Sequence, residues 1–169
     1  EETALHGREI VLSLDTSFSM TGTAIETIKK IVGDFIKKRA KDLIGITIFS
    51  ADAARIVIPT METLLLENSL ERVQASQVGY QTSIGEGLFT SIAALFEKEM
   101  GKKFTIRDLR NSINKQYLAD YAISFAKEME QRGVLKNKLI ILFTDGIYNI
   151  GISPDRPLRL LKRMGIKAY

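Results

Sequence analysis

Apolar residues follow two rhythms along this chain. In residues 10–14 and again in 139–143 they run with little polar alternation, as in strands buried on both faces of a parallel sheet, although so short a run also suits a buried helix. Between these runs the spacing lengthens. Ile25, Ile28, Ile31, Val32, Phe35 and Ile36 line one side of a helix over 24–39, with Glu26, Lys29, Lys30, Asp34, Lys37 and Lys38 on the other. Residues 43–50 and 54–58 are β-rich runs parted only by Ala51-Asp52-Ala53, too short for a crossover. They predict an antiparallel hairpin at a sheet edge, its second strand ended by Pro59.

Further along, 64–75 reads as a short, weakly amphipathic helix. A Gly-rich loop over 78–88 then leads into a helix whose buried face is Leu88, Ile92, Leu95 and Phe96, with Ser83 and Glu86 in a capping-box pattern. Ile106, Leu109, Ile113, Tyr117, Tyr121, Phe125 and Met129 recur at helical spacing, which predicts one long helix over 105–132, capped by Thr105 with Asp108 and stopped by Gly133. A last helix begins at Pro154 or Asp155, carries Leu158, Leu161 and Met164 and stops at Gly165, where Ile166 opens a strand.

Strands alternating with helices imply an α/β fold, Rossmann-like and doubly wound, with a mostly parallel sheet, one antiparallel edge strand and helices on both faces. Ligands of such sheets bind beyond the C-terminal ends of the strands. Three polar clusters fall there. Asp15, Ser17 and Ser19 alternate directly after the first buried run, Thr82 lies in the Gly-rich loop, and Asp145 follows the second buried run in Thr144-Asp145-Gly146. One carboxylate and two hydroxyls at alternate positions make a hard-oxygen set suited to Mg²⁺, Mn²⁺ or Ca²⁺. Each cluster also has a plainer reading. Ser17, Ser19, Thr21 and Thr23 all suit an N-cap, Thr82 can neighbour one, and Asp-Gly is a common turn. Their coincidence on one rim favours a site.

Composition narrows the chemistry. At 169 residues, 45% of them hydrophobic, the chain suits one domain with a sizeable core. With no cysteine, disulfides, zinc-thiolate sites and thiol catalysis are excluded. The net charge of +4 is concentrated in residues 98–138, where ten Lys and Arg face five Asp and Glu. Such runs are usually solvated faces, and without interleaved aromatics or a nucleic-acid-binding motif they predict no nucleic-acid partner. No apolar run has the ~18 residues of a membrane span. The chain opens at Glu1 without methionine and closes on a strand just begun, so it reads as a fragment whose anchoring or targeting segments lie outside it.

The order Asp15-x-Ser17-x-Ser19, Thr82, Asp145 resembles the von Willebrand factor A domain and its metal-ion-dependent adhesion site, over nearly the whole chain. The resemblance implies that Ser17 and Ser19 bind a divalent cation directly, that Thr82 binds directly or through water, and that Asp15 and Asp145 act largely through waters. It also implies that a partner's Asp or Glu completes the ion's shell. The flanking stretches 8–12, 44–49, 82–88 and 142–146 are similar to the bacterial, Bat-type (aerotolerance operon) branch. That branch implies a membrane-anchored, periplasmic domain working in envelope maturation with a MoxR-type ATPase or related proteins of its own family; a cytoplasmic location is the alternative.

Two departures from the family pattern stand out. Phe18 replaces the glycine usual between the two serines, and residues 98–136 are longer than the usual connection, which predicts a helical insertion before the fourth strand. The resemblance also implies a further strand and helix beyond Tyr169. Enzyme readings fare worse. A haloacid-dehalogenase-type phosphatase needs an Asp as general acid where Ser17 stands, and a serine hydrolase needs a base, for which the chain offers only His6, ahead of the first strand. A Mg²⁺-dependent phosphatase and a scaffold with a degenerate metal site remain the alternatives to a metal-dependent protein-binding module.

Overall fold

The computed structural model describes residues 7–146 and 150–169. His6 lies outside them. Five strands, β1 (Glu9–Asp15), β2 (Leu43–Phe49), β3 (Ala53–Thr60), β4 (Lys138–Phe143) and β5 (Lys167–Ala168), form one sheet in the order β3-β2-β1-β4-β5. All neighbours run parallel except β3, which pairs antiparallel with β2. The helices are α1 (Thr23–Lys38), α2 (Thr63–Glu71), α3 (Ile84–Leu95), α4 (Glu97–Met100), α5 (Ile106–Ile113), α6 (Asp120–Gln131) and α7 (Asp155–Met164).

The central strand explains why its sequence hardly alternates. Ile10, Leu12 and Leu14 join Ile25, Val32 and Ile36 of α1 and Leu66 and Leu70 of α2 in one core cluster. Val11 points the other way, into a second cluster with Leu88, Phe89 and Ile92 of α3, Phe125 and Met129 of α6, and Leu160 and Leu161 of α7. Both faces are covered, so both phases of the pleat are buried. Helix α3 lies across β1, β2 and β3 and is buried on nearly every side.

Five expectations are corrected. The predicted long helix over 105–132 is two helices, α5 and α6, that pack on each other. A straight helix of that length would reach about 40 Å and carry its far end off the sheet; the turn instead sends Leu109, Ile113, Phe125 and Met129 into one core. Carbonyls in the turn are answered from α7, where Arg159 donates to the Lys115 carbonyl (3.0 Å) and Arg156 to the Asn114 carbonyl, with a further bond to the Asn114 side-chain Oδ1 (2.8 Å). Ile106 and Tyr117 are left exposed. Pro59 does not end its strand: β3 runs to Thr60, since an edge strand tolerates a residue without an N–H. The helix predicted over 64–75 stops at Glu71, and Leu158 of α7 faces outward while Pro157 and Leu160 are buried. The Ser83 side chain makes no cap bond, and Glu86 pairs instead with Arg110 of α5. By contrast, Asp108 N–H donates to Thr105 Oγ1 (3.1 Å) as expected, and Gly133 and Gly165 end their helices at φ +68° and +69°.

The N-terminal ends of β1 and β4 form a closed charge cluster. Lys138, with only 2% of its side chain exposed, donates to Glu9, to Glu99 Oε1 (3.2 Å) and to the Leu95 carbonyl (3.2 Å), and its ammonium lies 5.1 Å from the Phe96 ring centroid. Lys103 pairs with Glu128 and Arg132 with the Glu99 carbonyl at the surface, so part of the basic excess of residues 98–138 has partners within the chain.

Candidate metal centre

Beyond the C-terminal ends of β1 and β4 the chain gathers oxygens. Asp15, the last residue of β1, is 0% exposed. Its Oδ1 accepts the Ser17 backbone N–H (2.9 Å), which folds the chain back at the strand end, and its Oδ2 accepts the Thr144 hydroxyl (2.7 Å) from the end of β4. Ser19 Oγ donates to Asp145 Oδ2 at 2.6 Å, and Ser17 Oγ lies 3.1 Å from Ser19 Oγ. A hydroxyl has one proton to give. Ser19 gives its own to Asp145, so Ser17 is the donor between the two serines.

Main-chain bonds fix the loops that carry these groups. Thr16 N–H donates to the Phe49 carbonyl (2.8 Å), Phe18 N–H to the Tyr80 carbonyl (3.0 Å) and Ser83 N–H to the Ser50 carbonyl (2.7 Å). Thr82, 4% exposed at the threshold of α3, accepts the Ile150 N–H on its carbonyl (3.3 Å). The structure therefore links Asp15, Ser17, Ser19 and Asp145 through hydrogen bonds, while Thr82 joins the same loop assembly through its main chain.

Two groups that the sequence did not single out as site residues take part. Thr144 tethers β4 to Asp15, and its only signal was a hydroxyl next to Asp145. Gly85 lets α3 approach the segment after Asp145: a Cβ there would lie 1.9 Å from the Ile152 carbonyl oxygen. Gly85-Glu86-Gly87 is thus a close-packing device, not a phosphate cradle.

The donor set suits a hard cation. Among the described residues no group of three or more His, Cys, Asp or Glu is gathered, so the cluster is made of hydroxyls as much as carboxylates. Asp15 is a wholly buried carboxylate, yet no Lys or Arg among the described residues forms an ion pair with it. A buried charge without a counter-charge is costly, and a bound cation removes that cost. The 3.1 Å between the serine oxygens compares with the roughly 3.0 Å edge of an octahedron whose ligands stand about 2.1 Å from a Mg²⁺ ion. Enclosed hydroxyl oxygens of Ser50, Ser76 and Ser83 nearby have no hydrogen-bond partner among the described residues.

Sheet order, rim position and oxygen set coincide with one family, and its sequence model, the von Willebrand factor type A domain, matches residues 10–147. The chain belongs to that family. A protein of Borreliella burgdorferi, described as uncharacterized, is 27% identical over 96% of this chain, which spans 40% of that relative's length. Among solved structures, proximal thread matrix protein 1 from the mussel byssus, with a zinc-occupied MIDAS motif, is similar at TM-score 0.65 and 17% identity over 96% of this chain and 37% of that one. An aerotolerance-related membrane protein from Bacteroides fragilis is similar at TM-score 0.53 and 14% identity, over 96% of this chain and 90% of that one. At such identities the likeness to both structures is one of fold. No helix among the described residues of this von Willebrand factor type A domain is long and apolar enough to cross a membrane.

Proposed function

We propose that this domain is a metal-dependent protein-interaction module rather than an enzyme, with Asp15, Ser17, Ser19, Thr82 and Asp145 as its adhesion-site residues. Domains of this family are known for metal-dependent protein interactions. The observation that carries the reading is the buried Asp15, which has no Lys or Arg partner among the described residues and is joined through its loop to the two serine hydroxyls and Asp145. Ser17 and Ser19 offer neutral oxygen lone pairs, and Asp145 fixes the Ser19 hydroxyl by accepting its hydrogen bond. Asp15 holds the loop by accepting from Ser17 N–H and Thr144, and Thr82 approaches from the third loop. A divalent cation, Mg²⁺ with Mn²⁺ or Ca²⁺ as substitutes, would supply Lewis acidity that an Asp or Glu of a partner protein can satisfy.

A bacterial envelope setting, with the domain periplasmic and anchored by segments outside this chain, is supported by the fold it shares with the aerotolerance-related membrane protein. A MoxR-type ATPase or another domain of this family is the partner that setting suggests.

Thermal unfolding tests the site. Wild type and Asp145→Ala are melted in EDTA and then with Mg²⁺, Mn²⁺, Ca²⁺ or Zn²⁺. A ligand that binds only the native state at a hundred times its Kd contributes about 2.7 kcal/mol, or roughly 5–10 °C for a chain of this size. The wild type is expected to gain that shift with at least one ion and the variant to lose most of it. No shift with any ion would sink the reading.

A further inference from the structure

The rim beside the adhesion-site residues carries a pair of aromatic rings that the fold itself does not use. Phe18 stands between Ser17 and Ser19 in a single 3-10 turn, Phe18–Met20, that buries Met20 and turns Phe18 outward. It is 63% exposed, whereas the other seven phenylalanines of the chain are buried or half-buried. Tyr80, two residues before Thr82, is 71% exposed. The two rings lie 6.4 Å apart between centroids and tilt 57° to each other, close enough to face a common guest without stacking shut.

Their placement is enforced by backbone. The Phe18 N–H donates to the Tyr80 carbonyl at 3.0 Å, which locks the two loops together. Gly79, at φ +124°, shapes the approach to Tyr80, and a Cβ there would meet the Ala51 Cβ at 2.6 Å. A phenylalanine left in water forgoes its transfer free energy, and a tyrosine beside it enlarges the exposed apolar patch. Rigid aromatic side chains next to a polar anchor are the composition of binding hot spots.

We propose that Phe18 and Tyr80 form an apolar subsite that selects the residue flanking the partner's carboxylate, so that this domain takes an acidic side chain with a neighbouring aromatic or large aliphatic one. The inference rests on the metal-dependent reading above. The occupant follows from position: Phe18 adjoins both serines in sequence and is tied to Tyr80, so side chains next to a carboxylate that reaches the serine oxygens come beside the two rings. A flexible or charged flank would leave those rings in water; an apolar one covers them.

Labelled peptides Gly-Gly-X-Glu-X-Gly-Gly, with X as Gly, Lys or Phe, provide the test, by fluorescence anisotropy in Mg²⁺ and in EDTA. For wild type, the Phe-flanked peptide should bind about tenfold more tightly than the Gly-flanked one. In Phe18→Ser and Tyr80→Ser that preference should fall to within about twofold, while the metal-dependent thermal shift of both variants persists. Metal-dependent binding of every Glu peptide with no flank preference would overturn the subsite and leave the adhesion-site reading standing. Binding of no Glu peptide, or binding unaltered by EDTA, would overturn both. Metal-independent dimers of the wild type that Phe18→Ser dissolves would assign the rings to a second copy of the chain and overturn the proposal.

Discussion

Strand β1 begins at Glu9 and ends at Asp15, and the fold treats these two carboxylates in opposite ways. Glu9 meets the Lys138 ammonium, which also holds Glu99 and the Leu95 carbonyl and lies against the Phe96 ring. Its charge is answered within the chain. Asp15 is buried as deeply as any residue of the core, yet its described partners are one backbone N–H and one hydroxyl. The N-terminal edge of the sheet is closed electrostatically, whereas the C-terminal edge leaves a buried carboxylate among hydroxyls with no Lys or Arg paired to it among the described residues. Acidic residues alone would not separate the two; the difference lies in what faces them.

The largest effect should come from the closed edge. Lys138→Met keeps the buried volume but strands Glu9 and Glu99 without their cation, and breaking a buried pair in this way costs about 3–5 kcal/mol. Urea unfolding should record that loss, and Glu9→Gln with Glu99→Gln in the same chain should recover most of it, since no carboxylate is then stranded. A Lys138→Met protein within about 1 kcal/mol of wild type would break the comparison at this end. A middling effect is expected at the open edge from Gly85→Ala, whose new Cβ would press on the Ile152 carbonyl 1.9 Å away. Overpacking against backbone costs about 1–3 kcal/mol, and because Ile152 lies in the connection after Asp145, the metal-dependent thermal shift should shrink as well. Loss of stability with an unchanged metal shift would uncouple α3 from the site.

Much of this contrast could be read from the sequence, and the remainder could not, for physical reasons. The buried strands announced themselves because a strand covered on both faces has no polar phase, and Asp15, Ser17 and Ser19 followed at once in a region where helices begin and ligands bind. The division of α5 from α6 was hidden because Ile113, Tyr117 and Tyr121 keep helical spacing across the break; the carbonyls of the turn after α5 are answered from α7, distant in sequence. Lys138 was equally opaque. It closes a basic segment and precedes an apolar run, and only the register that sets it opposite Glu9 makes it a buried counter-charge. Thr144 was in plain view beside Asp145, but its role depends on β4 lying next to β1, which local pattern cannot state.

The smallest expected change sharpens the comparison most. Asp15→Asn keeps Oδ1 for the Ser17 N–H and turns an amide N–H toward Thr144 Oγ1, which can accept as readily as it donates. The shape of the loop is retained and the buried negative charge is removed. In EDTA, where no cation compensates that charge, the variant should unfold within about 1 kcal/mol of wild type or be slightly more stable, because an unpaired buried charge is a cost rather than a support. In saturating Mg²⁺ the order should reverse, wild type gaining its metal-dependent increment and the variant little. A loss in EDTA as large as that of Lys138→Met would instead make Asp15 a structural anchor like Glu9, and the two ends of β1 would no longer differ in kind.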